Sequence, residues 1–350
     1  MSYFKPQFRH PQLPTNERGF TRTAYEGLIS TLCAGCGHDS ISAAIIQACW
    51  ELSLEPHRIA KVSGIGCSSK SPTYFLNKSH GFNSVHGRMP SVATGAFAGN
   101  HDLNYIGVSG DGDSASIGMG QFAHVVRRNL NMLYMVENNG CYGLTKGQDS
   151  ATADEGSRSR TGQVNPFENI DLVGVALEIG ATFVARSFSG DKQQLVPLIK
   201  AAIAHKGFAL IDVISPCVTF NNHHGSTKSY DFTREHVQSG NIVDFVPSRS
   251  EITANYEEGE SHSVQLHDGS MLNLAKTKPE HDPGNRRAAV NALQASRENG
   301  EILTGLIYID TEEPDFRSMM KIGDKPLNSL SQEELCPGSE QLGKINASLR

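Results

Sequence analysis

The sequence predicts an α/β fold: a parallel β-sheet flanked by helices on both faces, followed by an irregular C-terminal extension. Three observations predict it. Short apolar runs alternate with helical stretches between residues 40 and 214, the pattern of successive βα units. Several of these runs end in a Gly-rich or polar loop, where parallel sheets gather ligands at the carboxyl ends of their strands. Past about residue 230 the alternation fades.

Each element has its own reason. Residues 1–30 are a polar, Pro-bearing lead-in without a regular period. Residues 40–52 set Ile41, Ala44, Ile45, Ala48 and Cys49 at helical spacing, with Asp39 or Ser40 as the expected N-cap. Residues 59–62 read as a strand entering Ser63-Gly64-Ile65-Gly66-Cys67. A small-residue helix over 90–100 precedes a strand over 105–108, which enters Gly110-Asp111-Gly112-Asp113. Residues 118–128 are helical, and the strand over 132–136 enters Asn138-Asn139-Gly140. Helix 166–179, strand 182–185, helix 192–205 and strand 209–214 continue the alternation. Residues 250–300 are charged and polar, with a hairpin expected around His267-Asp268-Gly269. Residues 318–350 read as a surface tail. The chain thus divides into a lead-in (1–30), a main domain (31–230) and an extension (231–350).

Composition narrows the function. Hydrophobic residues make up 38 % and charged ones 19 %, which supports a packed core and excludes wholesale disorder. No apolar run reaches the roughly 18 residues of a membrane helix, and residues 1–7 hold no apolar stretch for a secretion signal. The expectation is a cytoplasmic protein without a membrane partner. A net charge of −6 excludes a general nucleic-acid binder. Seven cysteines in that compartment point to metal or redox use, not to disulfides.

The strongest motif is Gly110-Asp111-Gly112, then 25 residues, then Asn138-Asn139. A Gly-Asp-Gly turn after a strand offers one carboxylate and unhindered amides, and the next helix turns its N-terminus to a diphosphate. Asn139 adds an amide oxygen for the same hard cation. Magnesium takes such oxygen ligands together with phosphate. The cysteines form a second group. Cys33 and Cys36 alone fit a zinc knuckle or a redox pair equally well. Cys67 and Cys217 each follow a strand, so four thiolates at one sheet edge fit a cubane iron–sulfur cluster.

The Gly-Asp-Gly and Asn-Asn pair resembles thiamine-diphosphate enzymes. Four motifs together, Cys33-Ala-Gly-Cys36-Gly-His38, Ser63-Gly-Ile-Gly-Cys67-Ser-Ser-Lys70, His86-Gly-Arg88-Met-Pro-Ser-Val-Ala-Thr-Gly95 and Gly110-Asp-Gly-Asp113, resemble the β subunit of 2-oxoacid:ferredoxin oxidoreductases over about residues 20–230. The resemblance implies the thiamine-diphosphate-binding fold. It implies Asp111, Asn139 and the Cys141 carbonyl as magnesium ligands. Ile65, Gly66, Cys67, Ser68, His86, Gly87, Gly110, Gly112, Asp113, Gly143 and Leu144 would then surround the coenzyme. Cys33, Cys36, Cys67 and Cys217 would hold one [4Fe-4S] cluster.

Lys70 and Lys146 are the candidates for handling a negative substrate, and His38 or His86 for orienting a reacting group. Arg88 pairs with Asp113 or with a carboxylate of substrate or partner. The resemblance further implies an α subunit that brings an activating glutamate and the coenzyme A site, an external ferredoxin, and an (αβ)2 assembly. The favoured substrate is 2-oxoglutarate, converted to succinyl-CoA, with pyruvate as the alternative. A non-redox thiamine-diphosphate enzyme subunit and a zinc-stabilised scaffold are the competing readings.

Overall fold

The computed structural model describes residues 12–159, 162–221, 226–239, 261–265, 271–275, 281–336 and 338–349. In chain order the elements are α1 (Gly37–Glu51), β1 (Ile59–Ser63), β2 (His80–Asn83), α2 (Met89–Gly99), β3 (Asn104–Gly110), α3 (Met119–Arg127) and β4 (Met132–Asn138). A short hairpin follows, β5 (Cys141–Tyr142) with β6 (Gln148–Asp149). Then come α4 (Leu172–Glu178), β7 (Phe183–Phe188), α5 (Lys192–Ala204), β8 (Phe208–Ile214), α6 (Tyr230–His236), β9 (Val237–Ser239), β10 (Ser261–Gln265), β11 (Met271–Ala275), α7 (Arg286–Glu298) and β12 (Ile302–Ile309).

Eight strands form one sheet in the order β2-β1-β3-β4-β8-β7-β12-β9. Every pairing is parallel except that of β12 with β7. Strands β1, β4, β7 and β8 are buried along their whole length, as a parallel sheet covered on both faces requires. One face packs Ile41, Ile45 and Trp50 of α1 and Leu195 and Leu198 of α5. The other packs Phe97 of α2, Phe122 of α3, Leu172 and Leu177 of α4, and Leu293 of α7.

The expected α/β sheet is present, with four local differences. Helix α1 starts at Gly37, and Cys36 holds its N-cap position, so neither Asp39 nor Ser40 caps it. The turn at Cys36 comes earlier than the apolar period because the helix must begin where the cysteine loop ends. The helix expected over 166–179 begins only at Leu172, where Asp171 accepts from the Val173 amide at 3.0 Å and closes the end. Strand β2 escaped notice because all four of its residues are exposed. Within the C-terminal extension, residues 286–309 are regular: α7 packs on the core, and β12 joins the sheet antiparallel to β7. Its apolar run, Ile302 to Ile309, is long enough for a buried strand, yet it stands apart from the βα rhythm. Strands β10 and β11 pair antiparallel on either side of the expected hairpin. Its turn, with His267, Asp268 and Gly269, lies outside the described residues. Among the described residues no helix is long and apolar enough to cross a membrane.

Two features position the ends of the strands. First, β2 lies on one side of β1 and β3 on the other, so the chains leaving β1 and β3 part and open a crevice at their carboxyl ends. Second, the segment after β1 is pinned from below. Lys61, buried within β1, donates from Nζ to the carbonyls of Pro72 at 2.6 Å, Phe75 at 2.7 Å and Leu76 at 3.0 Å. Burial pulls its pKa down to about 8. All three ammonium protons are used, so the segment from Pro72 to Leu76 cannot lift without stranding a buried cation.

Lys61→Met is therefore expected to lower folding stability by about 3 kcal/mol, the cost of leaving buried carbonyls without donors. Chemical denaturation of the variant beside the parent chain measures it.

Candidate functional site

A cavity of about 320 Å³ opens in the crevice between β1 and β3. Four loops line it. Ile65, Gly66, Cys67 and Ser68 follow β1, and His86 precedes α2. Gly110, Asp111, Gly112 and Asp113 follow β3, while Asn139, Cys141, Gly143 and Leu144 follow β4. Residues far apart in the chain thus meet as their motifs predict. A larger cleft, about 760 Å³, lies at the opposite ends of the strands beside Phe97, Tyr105, Asn131 and Arg317. It holds none of the motif residues.

Asp111 is the centre of the cavity's chemistry. It is 1 % exposed, and burial raises its pKa. Its Oδ2 accepts from the Ser150 hydroxyl and from Thr152 Oγ1, the latter at 2.6 Å. Its Oδ1 accepts from the Asn139 amide at 3.2 Å. An ionised carboxylate has about four acceptor positions, and the Asp111 backbone amide is a further donor to it. Asn139 is turned by its own side chain, whose Oδ1 accepts from the Cys141 amide at 3.0 Å. Asn221 Nδ2 donates to the Asn139 carbonyl at 2.8 Å. Asp111, the Asn139 side chain and the Cys141 carbonyl are an all-oxygen donor set of the kind magnesium selects. These residues fit a magnesium–diphosphate group.

Gly112 and Asp113 have internal partners. A Cβ on Gly112 would sit 2.5 Å from the Tyr142 ring, and Tyr142 Oη donates to the Gly112 carbonyl at 3.0 Å. Asp113 accepts from the Gly87 amide at 2.7 Å and from Ser109 Oγ at 2.9 Å. Asp113 therefore ties the loop before α2 to the end of β3. The group that reaches it is the Gly87 amide, not the Arg88 guanidinium, which is exposed. Gly87 supports the wall without lining it.

Of the cysteines, Cys67 and Cys141 line the cavity, whereas Cys33, Cys36 and Cys217 do not. A Cβ on Gly143 would lie 3.5 Å from the Cys67 sulfur and 3.7 Å from the Cys217 sulfur, so this bare position faces both. Thr219 Oγ1 donates to the Cys33 sulfur at 3.7 Å. Burial pushes Cys36 up to about 12. Burial likewise raises Cys67, against the pull of Lys70. Cys217 is held down at about 6, first by the Cys141 thiol beside it and then against burial by the amides of Thr219, Phe220 and Asn221. Cys141 is raised in turn by Cys217 and by burial. All seven cysteines are free thiols. Among the described residues no three His, Cys, Asp or Glu side chains stand close enough to hold one metal ion; the four thiols, on three loops and with one already inclined to the thiolate, are soft donors of the chemical kind an iron–sulfur cluster takes.

His38 lines the cavity and is 1 % exposed, and its Nδ1 lies 2.6 Å from Ser215 Oγ. Burial lowers its pKa to about 4, so it is neutral at pH 7. Beside it stands Glu137, which the motif reading missed. Glu137 is fully buried, and its Oε2 accepts from Ser71 Oγ at 2.9 Å and lies 3.6 Å from His38 Nδ1. Its Oε1 has no partner, and burial raises its pKa well above the usual carboxylate range. One signal was available in the sequence: a glutamate at the end of a wholly apolar run, next to Asn138-Asn139. Ser150 and Thr152 were also missed, since nothing local marks them.

The two lysines lie outside the lining. Lys70 is half-buried beside Cys67, and Lys146 is exposed with its backbone at φ 83°. Such a conformation is rare for a residue with a Cβ. His86 is exposed at the cavity's rim.

Residues 64–213 match the family described as thiamine pyrophosphate enzyme, C-terminal TPP binding domain. The chain is 43 % identical over 199 residues to the 2-oxoacid:ferredoxin oxidoreductase subunit beta of Saccharolobus solfataricus, covering 57 % of this chain and 65 % of that one. It thus spans just under two thirds of that relative's length. To the 2-oxoglutarate synthase subunit KorB of Methanocaldococcus jannaschii it is 40 % identical over 189 residues, covering 54 % of this chain and 69 % of the relative. A solved structure of 2-oxoglutarate:ferredoxin oxidoreductase from Magnetococcus marinus, with 2-oxoglutarate, coenzyme A and succinyl-CoA bound, is similar at a TM-score of 0.73 and 30 % identity. That similarity covers 95 % of this chain and 96 % of the other.

Proposed function

The chain belongs to the family of 2-oxoacid:ferredoxin oxidoreductase β subunits, and from that premise we propose that it is the coenzyme- and cluster-binding half of an enzyme acting on 2-oxoglutarate. The reaction is 2-oxoglutarate, coenzyme A and oxidised ferredoxin to succinyl-CoA, carbon dioxide and reduced ferredoxin. The observation that carries this reading is the cavity in which the buried Asp111 carboxylate and Cys67 share one lining, with the Cys217 sulfur beside Gly143 of the same wall. A non-redox enzyme of the same fold has no use for those thiols.

Asp111, Asn139 and the Cys141 carbonyl would hold magnesium. The loops after β1, β3 and β4 would hold the thiamine diphosphate. When bound, that coenzyme supplies the electron sink for decarboxylation. Cys33, Cys36, Cys67 and Cys217 would hold a [4Fe-4S] cluster. His38, neutral and fixed by Ser215, offers its other ring nitrogen to the cavity as a hydrogen-bonding group. Lys70 and Lys146, near the mouth but outside the lining, would steer and pair a dicarboxylate on entry. An α subunit would close the cavity and supply the activating glutamate and the coenzyme A site, in an (αβ)2 assembly in the cytoplasm. The relatives named for 2-oxoglutarate support that substrate over pyruvate.

Three outcomes are expected. Protein purified without oxygen should carry about four iron and four acid-labile sulfide per chain; zinc, or neither, would overturn the redox reading. With the α subunit present, ferredoxin should be reduced faster with 2-oxoglutarate than with pyruvate, and the reverse order would replace the substrate. Asp111→Ala should abolish magnesium-dependent binding of thiamine diphosphate, measured by calorimetry, while the cluster's iron is retained.

A further inference from the structure

A buried polar chain runs from the far side of the sheet to Asp111. Arg186, on β7, donates from Nε to Asp212 Oδ2 at 3.0 Å and from a terminal nitrogen to Asp171 Oδ1. Asp212, on β8, accepts at Oδ1 from Asn138 Nδ2 at 3.0 Å. Thr152 Oγ1 lies 3.1 Å from Asn138 Oδ1 and 2.6 Å from Asp111 Oδ2. Arg186 is 9 % exposed, Asn138 6 %, Thr152 2 %, and Asp111 and Asp212 1 % each. Asn138, Thr152, Arg186 and Asp212 also line a cavity of about 210 Å³.

The chemistry of the groups makes this chain directional. The Asp212 carboxylate, paired with Arg186, only accepts, so the Asn138 amide must turn its nitrogen to Asp212. Its oxygen is thereby aimed at Thr152. The Thr152 hydroxyl has one proton, which Asp111 Oδ2 at 2.6 Å and Asn138 Oδ1 at 3.1 Å share as acceptors, so the two together fix its direction; Ser150 Oγ lies 3.0 Å from Thr152 Oγ1. Asp171 anchors the far end, since it also caps α4. A carboxylate that binds a hard cation must hold one rotamer and keep one lone pair free, and outer partners of metal ligands do this.

We infer that Arg186, Asp212, Asn138 and Thr152 form a positioning relay that orients Asp111 toward its cation, Thr152 by direct contact and Arg186 through the intervening groups. The inference rests on the reading of Asp111 as a magnesium ligand. It assigns Arg186 a role in metal affinity although two side chains stand between it and Thr152.

The test titrates magnesium into the metal-stripped αβ complex with thiamine diphosphate present, read by calorimetry, for the parent, Thr152→Val, Thr152→Ser, Arg186→Met and the double variant Thr152→Val with Arg186→Met. Thr152→Val should weaken magnesium about tenfold to a hundredfold, the usual effect of removing an outer partner. Thr152→Ser, which keeps the hydroxyl, should stay near the parent. Arg186→Met should weaken magnesium severalfold. The double variant should lose no more than Thr152→Val alone, because the relay is already cut. Unchanged affinity in Arg186→Met with a lowered melting temperature would make the ion pair purely structural. Losses that multiply in the double variant would overturn the relay as well. If Arg186→Met does not fold, Arg186→Lys, which keeps the charge and loses one arm, is read against the same criteria. Failure of the parent complex to bind magnesium would instead refute the metal reading itself.

Discussion

A carboxylate buried without a cation of its own chain is the constraint on which this structure turns. Asp111 is 1 % exposed, and among the described residues no Lys, Arg or His pairs with it. Desolvation of a bare charge is expensive. The chain meets that cost with neutral donors, the Ser150 and Thr152 hydroxyls and the Asn139 amide. Three donors soften the penalty without cancelling the charge. A residual negative site at the mouth of a crevice is what a divalent cation with a diphosphate needs.

Cys67 and Cys141 reach the same crevice because the sheet divides there. The strand-order reversal at β1 and β3 sends their following loops apart and leaves space between them. Lys61 holds the segment that follows the Cys67 loop through the carbonyls of Pro72, Phe75 and Leu76. Gly143, after β4, stays bare where a side chain would stand against two sulfurs. The Cys67 and Cys217 sulfurs thus meet beside the loop that follows β4. His38 and Glu137, both buried and both driven toward their neutral forms, separate that place from the apolar core without adding charge.

Much of this was legible in the chain itself, and the limit of legibility is physical. Gly110-Asp111-Gly112 and Asn138-Asn139 announce themselves because turn chemistry is local: the residues that shape the backbone are also the ones that line the cavity or stand beside it. Cys33 and Cys36 are visible for the same reason. Ser150 and Thr152 sit in an irregular loop and matter only because that loop folds back onto Asp111. Glu137 is masked by the strand that contains it. Strand β12 belongs to the sheet through pairing with β7, a contact that no spacing in the sequence records. The exposed edge strand β2 lacks the apolar alternation that marks a strand.

The sequence by itself determined the βα order, the buried strands, and the loops that carry Asp111, Asn139 and the four cysteines. Periodicity and turn composition are properties of neighbours along the chain. Only the tertiary structure decided which donors reach Asp111, which group reaches Asp113, and how Arg186 is linked through Asp212, Asn138 and Thr152 to Asp111. Those depend on hydrogen-bond direction between residues from different strands, and direction exists only once the strands have been placed side by side.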